Sequence, residues 1–296
     1  YNGVPDRCGE AWLLSGVAGS ETHVTNGFLA GNTINELVTV YMADLVGEEV
    51  FNRYGDEFPV LIKIIDANQW LSVQVHPDDA LAMERHGMSG KTEMWYIIDA
   101  EPDAALISGL ATGIDRNGFL LATETGNINK VLHYEKAEPG DIFYTPAGQV
   151  HAIGPGILLA EIQQTSDITY RIYDWDRKDK QGNSRELHLN EALDAIDYTP
   201  VDKVRTEYKP GKNKTVPLVN SEYFNTSFIW LTHGLKKDYG MLDAFVILLA
   251  VEGEGWIEST GERYPLKKGE AILLPATIAE TSIFAIGTLK LLEVTI

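Results

Sequence analysis

Four residues from three separated stretches carry the ligand chemistry of a single divalent cation: Gln74, His76, Glu93 and His151. Gln74 and His76 stand two apart in Leu71-Ser72-Val73-Gln74-Val75-His76, whose alternation is that of a strand. Side chains at i and i+2 on a strand share a face, so both reach one ion. Glu93 opens a second apolar run, Glu93-Met94-Trp95-Tyr96-Ile97-Ile98. His151 closes the segment Gly140 to His151, which has Gly140, Pro146 and Gly148 where tight turns need such residues. Two imidazoles, a carboxylate and an amide oxygen suit a borderline ion, zinc foremost, bound one per chain with room for water or substrate.

The elements that must position these groups are mostly strands. Pro59 to Ile65 reads as a buried strand leading toward the His76 strand, and Leu132 to Tyr144, Ile157 to Gln164 and Ile168 to Tyr173 as further strands. Helical spacing is expected over Thr33 to Leu45, Ala80 to Arg85 after Pro77-Asp78-Asp79, Asp115 to Leu121, and Asn190 to Ile196. Val201 to Thr215 is polar and basic with Pro210-Gly211, and reads as a linker. Beyond it the pattern is purely β: Phe224 to Leu231, Asp243 to Val251, Gly255 to Ser259, Ala271 to Leu274 and Thr288 to Thr295.

A degenerate internal repeat links the two halves. Gly140-x5-Pro146-x-Gly148-x2-His151 corresponds to Gly269-x5-Pro275-x-Thr277-x2-Glu280, and Glu93 to Ile98 is matched to Asp243 to Leu248. The expected fold is therefore mainly β: two related β-barrels with a few helices inserted in and before the first. Residues 1–200 form a metal-bearing catalytic domain, and 201–296 a second barrel without metal, since Glu280 stands where the first copy has His151.

Composition narrows the partners. The 296 residues carry 43 acidic against 24 basic side chains, a formal charge of −19 that repels nucleic acid and anionic lipid. No apolar run of spanning length occurs, so no membrane partner is expected. The single cysteine, Cys8, excludes an intrachain disulfide framework and fits a reducing, cytoplasmic setting. The chain starts at Tyr1 with no initiator methionine or signal-peptide pattern, as expected of a chain lacking its true N-terminus. An anionic substrate would need a local basic pocket, and monomer and dimer both stay open.

The Gly-x5-Pro-x-Gly-x2-His pattern is similar to the second signature of the cupin superfamily of small jelly-roll barrels. The chain more specifically resembles a type I mannose-6-phosphate isomerase of the short bacterial kind. Four stretches carry the resemblance: Leu71 to Asp79, Gly90-Lys91-Thr92-Glu93-Met94-Trp95-Tyr96, Pro146 to His151, and Thr169-Tyr170-Arg171-Ile172-Tyr173-Asp174-Trp175-Asp176-Arg177. It implies a zinc-dependent aldose–ketose isomerase acting on a small phosphorylated sugar, with ligands Gln74, His76, Glu93 and His151. It also implies Arg171 as a catalytic residue and Ser72, Lys63 and Lys91 lining the substrate site. The family's N-terminal strand with a Trp-Gly pair is missing here, which puts the first strand in question.

Such an isomerisation moves a proton between C1 and C2 through an enediol, with negative charge growing on two neighbouring oxygens. A metal and the permanent charge of Arg171 would stabilise that charge. Candidates for moving the proton are Glu161, Asp167, Lys91 and a metal-bound water. Lys63 and Lys91 flank the metal strand, Ser72 shares its face, and Arg177 is a further phosphate candidate whose competing reading is an ion pair with the acids beside it. For Arg171 the competing reading is a buried pair with Asp167. Three other functions share the pattern: an isomerase of a different sugar phosphate, an iron dioxygenase, and a non-catalytic sugar-binding cupin.

Overall fold

Period-two alternation sets which side chains of the N-terminal module meet. In the computed structural model, which describes residues 8–200 and 203–296, this module holds β1 (Glu10–Leu14), β2 (Val60–Ala67), β3 (Val73–Val75), β4 (Glu93–Ala100), β5 (Ala105–Leu110), β6 (Leu132–Lys136), β7 (Ile142–Thr145), β8 (His151–Ile153), β9 (Ile157–Gln164) and β10 (Tyr170–Tyr173). They form two five-stranded sheets, in the orders β1-β2-β9-β4-β7 and β10-β3-β8-β5-β6. Trp95, Ile97, Phe143 and Leu159 of the first sheet pack on Leu106 and Ile153 of the second. That shared core is the jelly-roll interior expected of a cupin.

The opposite face of the second sheet is covered by helices. Val73, Val75, Ile107, Ala152, Tyr170 and Ile172 bury against Ala82, Phe119, Ala192 and Leu193. Those last four come from the helices Asp79–His86, Arg116–Glu124 and Leu189–Ala195. Asp78 caps the first of these, its carboxylate accepting the Leu81 amide at 2.8 Å. Since Val73 and Val75 face the helices, Gln74 and His76 face the barrel interior.

The C-terminal module is one seven-stranded sheet: β11 (Lys214–Asn220), β12 (Asn225–Leu231), β13 (Leu235–Asp238), β14 (Val246–Ser259), β15 (Glu262–Lys267), β16 (Ala271–Leu274) and β17 (Glu280–Thr295). β17 pairs with β12 near one end and with β13 near the other, and β14 pairs with β15, β16 and β17. Its inward residues Ile229, Val246, Leu248, Ile257, Ile283 and Leu291 form a separate core.

Several boundaries differ from expectation, each for a local reason. The helix expected over Thr33 to Leu45 breaks at Met42, whose φ of 47° ends Ile34–Tyr41 before Ala43–Val46 begins. Leu132 to Tyr144 is two strands, because the chain turns at Gly140. The stretches Asp243 to Val251 and Gly255 to Ser259, expected as separate strands, are joined in β14, which runs through Gly253 and Gly255. A Cβ there would collide with the carbonyl oxygens of Thr288 and Phe284, so these glycines permit close approach of β17 rather than a turn. The linker's first two residues lie outside the described residues, and its last two begin β11. No strand with a Trp-Gly pair occurs among the described residues; the first described strand, β1, carries Trp12-Leu13 and lies at the edge of its sheet.

Contacts divide the chain differently from 1–200 and 201–296. Ile64–Thr206 cluster with the residues through Ala11, whereas Trp12–Lys63 cluster with Glu207–Ile296. Within that second unit, Asp243 accepts the Glu48 and Glu49 amides at 2.8 and 3.0 Å, and the Phe58 and Phe245 rings stand 4.6 Å apart.

Strand register also corrects the alignment of the repeat. Glu93 pairs with Thr145 and Val246 with Leu274, while Thr145 and Leu274 are equally spaced from Gly140 and Gly269. Glu93 therefore matches Val246, three residues beyond Asp243.

Candidate metal centre

His76 follows β3, and its imidazole is placed by the chain it touches. Its Nδ1 donates to the Ile168 carbonyl at 2.8 Å, and the His151 Nδ1 donates to the Gln149 carbonyl at 2.8 Å. Each bond leaves an unprotonated Nε2 directed inward, the tautomer that binds metals. Gln74 pairs with His151 across β3 and β8, with its Nε2 3.3 Å from the His151 Nε2. Ser72, buried on the same face, directs its hydroxyl at the Gln74 Oε1 over 3.5 Å.

Glu93 sits between the two imidazoles and is fully buried. Its Oε2 is 3.5 Å from the His76 Nε2 and 3.4 Å from the Lys91 Nζ, and its Oε1 is 3.4 Å from the His151 Nε2. One ligand atom from each of His76, Glu93 and His151 lies within 4.8 Å of the others. Both Glu93 oxygens and the His76 Nε2 are buried with no hydrogen-bond partner among the described residues. Burial alone would raise the Glu93 carboxyl, but Lys91, His151 and His76 outweigh it and hold the group well below the usual carboxylate range. Burial, and then the Lys91 charge, push His76 down to about 3, so its lone pair is available at ordinary pH.

The donor set has a consequence that packing alone does not explain. Two imidazole lone pairs and a carboxylate converge, and acceptors left facing one another in a buried site cost several kcal/mol unless a cation joins them, on the order of the penalty for unpaired buried charge. Lys91 supplies one ammonium to one oxygen. The residues fit a divalent cation held by N and O ligands, with Gln74 able to join once its amide turns Oε1 inward.

The other expected site residues are placed as follows. Arg171 pairs with Gln74 across β10 and β3 and therefore faces inward. Its Nη1 donates to the Glu186 carbonyl at 3.0 Å, while its buried Nε has no partner among the described residues. Burial and the nearby Arg185 lower its guanidinium from the ordinary value, which still leaves an arginine cationic. Glu161, on the inward face of β9, is buried and accepts the Trp95 Nε1–H at 2.9 Å. Asp167 is exposed on the turn after β9, and Arg171 takes a carbonyl partner there rather than a carboxylate. Arg177 donates to the Trp70 carbonyl at 2.8 Å and ion-pairs with Asp174, which Arg185 also grips. Lys63 belongs to the other packing unit, buried with its Nζ 5.0 Å from the Trp12 ring centroid.

Sequence reasoning missed the groups that orient the ligands. The Ile168 and Gln149 carbonyls have no side-chain signature. Gln163 and Gln164, polar at the end of the stretch Ile157 to Ile162, which is apolar but for Glu161, were the available signal.

Comparison with known proteins agrees with this geometry. Residues 5–105 match the family model for the phosphomannose isomerase type I catalytic domain, and residues 214–295 match the mannose-6-phosphate isomerase cupin domain. Mannose-6-phosphate isomerase ManA of Bacillus subtilis is 39% identical over 95% of this chain and 87% of its own length. The mannose-6-phosphate isomerase of Streptococcus mutans is 37% identical over 94% and 86%. The crystal structure of the mannose 6-phosphate isomerase from Bacillus subtilis superposes with a TM-score of 0.85 at 34% identity, covering 97% of this chain and 90% of that one.

Proposed function

The chain belongs to the type I mannose-6-phosphate isomerase family, and from that premise we propose that it interconverts mannose 6-phosphate and fructose 6-phosphate with one zinc ion held by Gln74, His76, Glu93 and His151. The observation that carries this is the buried convergence of the His76 Nε2 and both Glu93 oxygens, partnerless among the described residues, on the His151 Nε2. When bound, the ion supplies Lewis-acid charge to the oxygens on C1 and C2 of the sugar.

The remaining work falls to side chains. Arg171, cationic and inward-facing, binds the same pair of oxygens as charge grows on them. Lys91 keeps Glu93 ionised and offers its remaining protons to the substrate. Moving a proton between neighbouring carbons needs a base within reach of both, and one inside the barrel keeps the proton from leaking to bulk water. Glu161, buried on the inward face of β9, meets that second condition, and the exposed Asp167 does not. Ser72 and Lys91 are the phosphate donors in this reading. Arg177 is already bonded to Asp174 and to the Trp70 carbonyl, and it fixes the loop beside them.

A coupled assay for fructose 6-phosphate formed from mannose 6-phosphate tests the proposal. Turnover is expected to vanish after exhaustive chelation and to return with added zinc. Full turnover in metal-stripped protein would remove the ion from the reading, and no product from zinc-loaded protein would remove the substrate.

A further inference from the structure

We infer that Gln163 and Gln164, the last two residues of β9, are positioning residues of the metal centre, one setting His76 and the other setting Glu93 and Lys91. The inference rests on the metal-site reading above. Both side chains are buried, at 0% and 5% exposure, and their amide groups are hydrogen-bonded except the Gln163 Oε1, which has no partner among the described residues. Their bonds run to the segments that carry the ligands.

The Gln163 Nε2 donates to the carbonyls of Gln164 and Ser166, at 2.9 and 2.7 Å. Those two bonds shape the turn that leads into Ile168, and the Ile168 carbonyl takes the His76 Nδ1–H at 2.8 Å. Gln163 thus fixes the group that selects the tautomer and ring orientation of His76. Gln164 acts on the opposite side. Its Oε1 accepts the Thr92 amide at 2.8 Å, and its Nε2 donates to the Asp79 Oδ1 at 3.0 Å. The same Asp79 oxygen accepts the Gly90 amide at 2.8 Å. Gly90 to Thr92 is therefore held at both ends against the helix that starts three residues after His76. Lys91 lies inside that clamp and Glu93 directly follows it. Two adjacent amides, alternating in direction along the strand, divide the centre between them.

Cobalt(II) is the probe, because its visible spectrum reports ligand geometry and its affinity is measured apart from turnover. Gln163→Glu and Gln164→Glu keep the shape of each side chain but replace a donor with an acceptor. Each is expected to weaken cobalt binding by about 10- to 100-fold, the range for groups that orient metal ligands, and to alter the visible bands while far-UV circular dichroism stays that of the wild type. Adding Asp79→Asn to Gln164→Glu places a donor opposite the new carboxylate but takes the acceptor from the Gly90 amide, so it is expected to recover part of the affinity. A purely structural role would not give that recovery. Should the carboxylate variants fail to fold, Gln164→Asn, which shortens the reach without adding charge, carries the same expectation. Wild-type affinity and spectrum in the single variants overturn the inference, as does a double variant no better than Gln164→Glu. A wild-type protein that takes up no cobalt overturns the metal reading itself, which separates the two failures.

Discussion

In the N-terminal barrel, Gln74 and His151 face each other across β3 and β8 and point inward, with Glu93 and Glu161 on the facing sheet. In the C-terminal barrel the inward pair at the matching strands is Lys237 and Thr281, and Glu293 holds the place of Glu161. Glu280, equivalent to His151 by spacing, is exposed and bonds Lys236 at 2.7 Å on the outer face. The contents of the two mouths follow opposite rules. The first collects acceptors that require a cation from outside. The second contains its own: the Lys237 Nζ lies 2.9 Å from the Glu293 Oε1 and 3.0 Å from the Thr215 Oγ1, while the Tyr239 hydroxyl donates to the Glu293 Oε2 at 2.6 Å. Similar turn spacing can therefore serve a binding centre or a self-neutralised plug, and the inward row decides which.

The largest effect should separate His151→Ala from Glu280→Ala. The first is expected to lose bound zinc and to lower kcat/KM by on the order of 10³-fold, the scale of losing a group that stabilises developing charge. The second should leave metal content and turnover within about twofold, as for an exposed side chain away from the chemistry. Equal losses in both would break the comparison. Next comes the pair of lysines. Lys237→Met strands the buried Glu293 carboxylate and should cost about 3 kcal/mol in chemical denaturation, toward the lower end for a broken buried pair because both heads keep some solvent contact. Its zinc content should not change. Lys91→Met should instead be read in turnover, with kcat/KM down by about 100-fold.

A smaller effect tests the turn itself. Gly148 has a φ of 86°, and a Cβ there would meet the Ala195 carbonyl at 3.1 Å. Thr277, its counterpart, is not among the residues with positive φ. Gly148→Thr is expected to cost about 2 kcal/mol and to weaken zinc binding, since His151 follows three residues later. Thr277→Gly should cost about 0.5–1 kcal/mol through chain entropy alone. Denaturation curves showing similar costs would mean that the two turns are built alike.

Much of the first barrel was legible because its signals are local. Period two put Gln74 and His76 on one face, and the turn residues delivered His151 to a strand start. The second copy was misaligned by three residues because register depends on bulges and on the conformation of the turn. Thr277 preserves the spacing of Gly148 without its backbone angle, so Glu280 turns outward while the spacing suggests otherwise. The stretches on either side of Gly253 read as two strands because a glycine that permits close approach of another strand is the same residue type as a turn glycine. The orienting carbonyls of Ile168 and Gln149 belong to the backbone, which no residue type encodes. Gln163 and Gln164 were visible as polar residues ending an apolar strand, but their partners lie far away in sequence.

A gradual effect, spread over units of pH, should also distinguish the barrels, and it needs metal-free protein. His76 has a folded pKa of about 3 against 6.5 when unperturbed. The unfolded chain therefore binds a proton that the folded centre refuses. Stability from this group is complete above pH 6.5 and is lost as pH falls toward 3, at up to about 1.4 kcal/mol per unit. Glu93, also lowered, adds a loss of the same sign below its ordinary value of 4.5. In the second barrel the Tyr239 hydroxyl is raised by burial and then by Glu293, so it stays protonated in both states throughout this acid range and adds no slope. Denaturation midpoints of the apoprotein between pH 7 and 5 should fall, and His76→Asn should flatten that fall, whereas Tyr239→Phe should leave its slope unchanged. Bound zinc should postpone the fall to lower pH, because the ion competes with protons for the same nitrogen and carboxylate. An apoprotein equally stable at pH 7 and 5 would mean that His76 is not held neutral, and the contrast between an acceptor-only mouth and a self-neutralised one would lose its electrostatic basis.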